Sequence, residues 1–274
     1  MRSHGARFEC LLMRPHDHIG WTFAGPAGFA ALARPFLAEG AARGERLMYV
    51  AADPDPAAVA GLGGPEAVTV ASIAEVYGPS GIVDAAAQRA TFAAALASAL
   101  AAGYRGIRVA ADNTALVTSE DRLAAWVRWE VVADRFMAGH QVTGLCAFDR
   151  DQVDVDRLRH LATLHPLSSA DSPVPQFRLY ADAGDLRAEG DLDSLAISQL
   201  RLALDQLPQG TGVLIDLAAA TLRGRTALAG LVHLSGDGVT VTIQGEPAAI
   251  GLLRPRAGRL VLREVWPPAP APAP

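Results

Sequence analysis

From residue 29 to residue 164 the chain alternates compact apolar runs with longer stretches whose apolar positions recur at helical spacing. Phe29, Leu32, Phe36 and Leu37 share one helical face, and Gly40 and Gly44 punctuate the exit. Residues 46–51 (RLMYVA) form a run suited to a buried strand, and 67–73 suit another. A long helix is predicted from Val83 to Ala102, closed by Gly103, and a third strand over 107–111, ending at Asp112. Thr118 and Asp121 suit a capping box for a helix running to about Ala138. A strand over 142–148 and a helix over 153–164 complete the segment. Strands spaced by helices of this length predict βαβ units and a mostly parallel sheet.

Residues 166–176 break this rhythm. They are rich in Pro and Ser and read as a linker between a first domain, 1–165, and a second, 177–266. The second predicts short strands at 177–183 and 186–190, a helix at 194–207, a strand at 212–217 and a helix at 226–234. A strand at 239–244, a helix at 247–253 and a strand at 260–265 follow, making a small α/β domain. Residues 267–274 (PPAPAPAP) predict a disordered Pro/Ala tail.

Composition narrows the chemistry. All 24 basic residues are arginine, against 29 acidic residues, for a net charge of −5. Without a lysine, the chain cannot supply a Walker-type phosphate lysine, a Schiff base or a kinase strand lysine. The acidic balance and the lack of a basic stripe predict no direct nucleic-acid binding. No apolar run reaches membrane-spanning length, and the first residues lack the apolar core of a secretory signal. Cys10 and Cys146 are too few for a disulfide framework, so a cytoplasmic setting is expected.

Several residues invite a chemical reading. In an open parallel sheet, ligands sit at the strand carboxyl ends, which singles out Asp53, Asp112, Asn113 and Asp149. His16, Asp17 and His18 cluster just before the first long helix. His-x-His spacing is compatible with a metal, with His165 closing the site only in space. A histidine bonded to backbone is the plainer reading, and neither a metal nor a cofactor is expected. Glu45 and Glu130 would support acid–base chemistry if they met, but no spacing requires it, and carboxylates paired with Arg128 or Arg135 are the plainer reading. Cys146 lies between Leu145 and Ala147 and reads as a buried, inert thiol.

Two resemblances follow. The first segment is similar to MEDS sensory domains. The residues that carry this are His16 to Gly20, 34–51, Tyr77-Gly78, Trp126 to Glu130, Thr143 to Asp149, and His165-Pro166. The resemblance implies a RecA- or KaiC-like core without a working phosphate loop, sensing a small ligand or partner, with His18, Trp21, Glu45, Tyr77, Asp112 and Glu130 as expected ligand-binding residues. Residues 184–204, 213–234 and 239–245 resemble the STAS fold of anti-sigma-factor antagonists, with Gly190 to Asp193 and Asp216-Leu217 fitting its pattern. Its phosphorylatable serine position is Arg225, in a degenerate turn of Gly224, Arg225 and Thr226, where Thr226 suits a helix N-cap. Together these imply a non-enzymatic signalling regulator, acting through an anti-sigma factor or related kinase and compatible with a homodimer. The alternative is a RecA-like enzyme that binds or hydrolyses nucleotides.

Overall fold

The computed structural model describes residues 2–64, 66–207, 209–234 and 239–265. The Pro/Ala tail at 267–274 lies outside the described residues. The chain divides into two compact units, Met1–Pro175 and Gln176–Pro274. The expected α/β architecture holds in both.

In the first unit the elements run β1 (Gly5–Arg7), β2 (His18–Phe23), α1 (Pro26–Ala42), β3 (Arg46–Ala51) and β4 (Val68–Ser72). They continue with α2 (Ile73–Tyr77), α3 (Ala85–Ala101), β5 (Ile107–Asp112), α4 (Glu120–Gly139), β6 (Val142–Asp149), α5 (Val155–Ala162) and β7 (Leu167–Ser169). The seven strands make one sheet in the order β1-β7-β2-β6-β5-β3-β4, with every pair parallel.

Three expectations are corrected here. The segment just before the first long helix, where no strand was expected, holds β2, a central strand that His18 opens. The period-two alternation of His18, Gly20 and Thr22 with Ile19, Trp21 and Phe23 is the signal for it. The supposed linker is partly sheet: Leu167 and Ser168 pair with β2, and Leu167 to Ser169 pair with β1. Its polar residues stay in the fold because Ser168, Ser169 and Ser172 are buried. Helix α4 is capped by Ser119, whose hydroxyl accepts from the Arg122 amide, and not by Thr118.

Strand alternation divides the site-bearing residues between two faces. His18, Gly20, Gly144, Cys146, Val109 and Ala111 share one face, as the registers His18↔Gly144, Gly20↔Cys146 and Ala111↔Cys146 require. Ile19, Trp21, Leu145, Ala147, Arg108 and Ala110 share the other. There they pack with Phe29, Ala33, Phe36 and Leu37 of α1 and with Leu47 and Tyr49. The connection from β2 to α1 is only Ala24 and Gly25, with proline opening the helix. A phosphate loop needs a longer glycine-rich turn and its lysine between strand and helix, so this junction has no room for one.

The second unit contains β8 (Phe177–Asp182), β9 (Asp185–Leu192), α6 (Ser194–Asp205), β10 (Gly212–Leu222), α7 (Gly224–Val232), β11 (Thr240–Gly245), α8 (Pro247–Leu253) and β12 (Val261–Glu264). Its sheet runs β12-β11-β10-β9-β8, with β8 and β9 an antiparallel hairpin and the remaining pairs parallel. Asp193 caps α6 by accepting from the Leu195 and Ala196 amides. Gly190 cannot be replaced freely: its φ is +82°, and a Cβ would stand 2.5 Å from the Gln176 carbonyl oxygen. Thr226 does not cap α7. That helix already begins at Gly224, with Arg223 at the cap position and no side-chain cap bond.

No helix among the described residues is long and apolar enough to cross a membrane.

Candidate functional site

A group of buried polar side chains in the first unit lies between the sheet and α4. Glu130 and Asp134 sit one turn apart on the buried side of that helix, and both point toward β2. His18 Nδ1 lies 3.1 Å from Asp134 Oδ1, so its Nδ1–H donates to that carboxylate. Its Nε2 then faces Glu130 Oε2 at 3.2 Å and Cys146 Sγ at 3.4 Å. His165, which follows α5, arrives from the other side. Its Nδ1–H donates to the Leu161 carbonyl at 2.8 Å, and its Nε2 faces Glu130 Oε2 at 3.5 Å. The two imidazoles stand 4.4 Å apart between centroids. At the outer end Arg2 Nη1 lies 2.8 Å from Asp134 Oδ1, which balances that carboxylate.

His18, Glu130, Cys146 and His165 are all buried, and this sets their protonation. Burial works to lower the His18 pKa, but the Glu130 carboxylate and the bond to Asp134 push it well above the ordinary imidazole value. Burial works to raise Glu130, but the two imidazoles outweigh it and hold the carboxyl below its usual range. His165 is pushed down to about 4, chiefly by burial. The Cys146 thiol is pushed up to about 12, again chiefly by burial. Among these four the charges therefore reside on His18 and Glu130, and Cys146 is a neutral thiol.

Room for these rings depends on strand glycines. A Cβ on Gly20 would stand 2.8 Å from His165 Nδ1 and 2.9 Å from its Cγ. The ring is fixed by its bond to Leu161 and cannot retreat. Gly20→Ala is expected to cost about 1–3 kcal/mol by overpacking, read as a lower midpoint in chemical denaturation.

Of the expected ligand-binding residues, His18, Tyr77 and Glu130 come together. Tyr77 is buried beside Trp126 and Trp129 and, with Glu130 and Cys146, lines an apolar cavity of about 30 Å³. The other three lie apart. Trp21 points to the opposite sheet face and packs half-buried on the α1 core. Glu45 is on that same side, where its Oε2 accepts from Arg108 Nε at 2.6 Å, so Glu45 and Glu130 do not meet. Asp112 ends β5, and its Oδ1 accepts from the Thr114 amide and hydroxyl. Asp149 is likewise occupied, accepting from the amides of Gly25 and Asp151 and from Gln152. Asp53 is exposed. The acids at the strand carboxyl ends that are drawn inward thus tie loops down. Nor do His16, Asp17 and His18 converge: His16 bonds the Met137 carbonyl, and Asp17 accepts from the Arg14 amide.

Residues 17–166 match the family model of the MEthanogen/methylotroph, DcmR Sensory domain, MEDS. The chain belongs to the MEDS family. The match takes in the whole buried cluster, with His18 and His165 near its two ends. No curated protein matches this chain. Cys146, Asp134 and His165 are the MEDS-domain residues that spacing alone did not place in the site. The sequence signal for Asp134 was its position one turn after Glu130 on an otherwise apolar helix face.

Proposed function

We propose that this protein is a non-enzymatic signalling regulator. Its MEDS domain senses a small ligand, and its second, STAS-like domain passes the state on by contact with an anti-sigma factor or related kinase. The observation that carries this reading is the membership of residues 17–166 in a sensory family. The cavity beside Glu130 and Cys146, about 30 Å³, limits what reaches them in this conformation to one or two water-sized molecules. In the second unit, the hairpin followed by three parallel strands with intervening helices supports the STAS likeness. The first turn of α7 presents Gly224, Arg225 and Thr226 to solvent. Beside it, Ile197, Arg201, Asp205 and Thr226 line an open groove between α6 and α7, which suits a protein contact. Arg225 in the serine position favours control by binding over phosphorylation.

One experiment addresses each part. The full chain is mixed with an anti-sigma-factor kinase and Mg-ATP, then examined by size-exclusion chromatography and intact mass. The expected result is a stable complex, no phosphate on Thr226, and no ATP turnover by the chain alone. Stoichiometric phosphate on Thr226 would contradict control by binding. Turnover by the chain alone would favour the nucleotide-hydrolysing alternative, against which the short β2–α1 junction and the missing lysine both count. Failure to associate would remove the kinase as partner.

A further inference from the structure

We propose that His18, Glu130, Cys146 and His165 form a four-coordinate site for one divalent transition-metal ion of the zinc class. The inference goes beyond the signalling reading and does not depend on it.

Geometry comes first. One ligand atom from each residue lies within 4.8 Å of all the others. Ligands about 2.0–2.3 Å from a tetrahedral centre stand roughly 3.3–3.8 Å apart. The separations of His18 Nε2 from Glu130 Oε2 and from Cys146 Sγ, 3.2 and 3.4 Å, and of His165 Nε2 from Glu130 Oε2, 3.5 Å, are those edges to within a few tenths of an ångström. The remaining pairs lie within 4.8 Å, so admitting an ion requires the farther ligands to draw inward.

The outer partners point the same way. A metal-bound histidine donates its remaining N–H to a carboxylate or backbone carbonyl, which fixes its tautomer and aims the other nitrogen at the ion. His18 does this through Asp134 and His165 through the Leu161 carbonyl, so both Nε2 atoms face the same centre. Asp134 is itself held by Arg2. Glu130 supplies an independent sign. Its side chain is fully buried, yet Oε1 has no hydrogen-bond partner among the described residues. His18 faces only Oε2, so a buried carboxylate oxygen stays unsatisfied, which is unfavourable and which an ion at the centre of the cluster would relieve.

The donor set selects the ion. Two imidazoles, a thiolate and a carboxylate suit zinc or cobalt, whereas calcium and magnesium require six or more oxygens. Charge also closes: a divalent ion neutralises Glu130 and the Cys146 thiolate, with Arg2 offsetting Asp134. Coordination releases the Cys146 thiol proton and the proton on His18 Nε2 to solvent, and no redox partner is required.

The test uses the full-length chain, stripped with chelator, confirmed native by circular dichroism, and reloaded with Co²⁺ or Zn²⁺ alone. Elemental analysis after desalting is expected to give one ion per chain. The cobalt form should show a thiolate-to-metal charge-transfer band that Cys146→Ser abolishes and Cys10→Ser leaves intact; Cys10 is buried outside the cluster. His165→Gln should reduce retention of the ion. X-ray absorption of the zinc-loaded wild type is expected to find one sulfur near ~2.3 Å and nitrogen or oxygen ligands near ~2.0–2.1 Å. This measurement needs no variant, so it decides the matter even if substitutions impair folding. Native protein that retains no ion, or an ion shell without sulfur, would overturn the proposal.

Discussion

Arg108→Ala is expected to destabilise the MEDS domain by about 3–5 kcal/mol, the cost of breaking a buried ion pair by removing one partner. The guanidinium is fully buried and stacks over Phe36 at 4.8 Å. Its Nε donates to Glu45, its Nη1 to Glu39 and the Phe36 carbonyl, and its Nη2 to the Met13 carbonyl. One side chain thus joins β5 to α1, to the start of β3 and to the N-terminal segment. Alanine would strand Glu45, which is buried, and leave two carbonyls without their donor. Domain stabilities run to about 5–15 kcal/mol, so the loss is a large fraction of the total. Equilibrium denaturation measures it. Arg108→Lys should recover little, because an ammonium cannot span acceptors arranged for a planar fork. The double replacement Arg108→Met with Glu45→Leu should recover much of the loss, because no buried charge is then left alone; Glu39 keeps its pairing with Arg43 at 2.7 Å. A double variant no more stable than Arg108→Ala would show that the guanidinium's bonds to the carbonyls matter more than the stranded carboxylate.

Trp126→Ala is the second large effect, also about 3–5 kcal/mol. The indole is the largest fully buried side chain among the described residues, edge-on to Tyr77 at 5.7 Å and to Phe148 at 6.4 Å between centroids. Its removal leaves a cavity next to Tyr77 and to Phe148, whose ring packs on His165, so the loss should come with a looser site. Trp126→Phe should cost clearly less. It keeps most of the apolar volume and removes an indole N–H that has no hydrogen-bond partner among the described residues. Unfolding midpoints of the two variants separate the terms. Equal losses would mean that the cavity is not the cause.

Most of the architecture was legible because helices and strands carry their periods in the apolar pattern. Strands β3, β5 and β6 and helices α3 and α4 fall close to where that pattern places them. Strand β2 was hidden because His18, Gly20 and Thr22 interrupt the apolar run expected of a central parallel strand. Two of those interruptions build the site, a histidine ligand candidate and a glycine that clears space for His165; the third is a threonine hydroxyl 3.1 Å from that of Ser172. Strand β7 was hidden because a three-residue strand of Leu and Ser, preceded by proline, has turn composition.

The sequence by itself determined the α/β class and the absence of lysine, and with it the chemistry the chain cannot perform. It also determined which helix faces are apolar. Tertiary structure alone decided which polar residues meet. Glu45, just before β3, bonds Arg108 on one side of the sheet, and Glu130, on α4, meets His18 on the other, so two acids beside apolar elements went to opposite sides. His18 and His165 lie at opposite ends of the MEDS span and meet because the parallel order places β7 and its preceding turn beside β2. Pairing between distant strands is set by the packing of the whole sheet, and no local period records it.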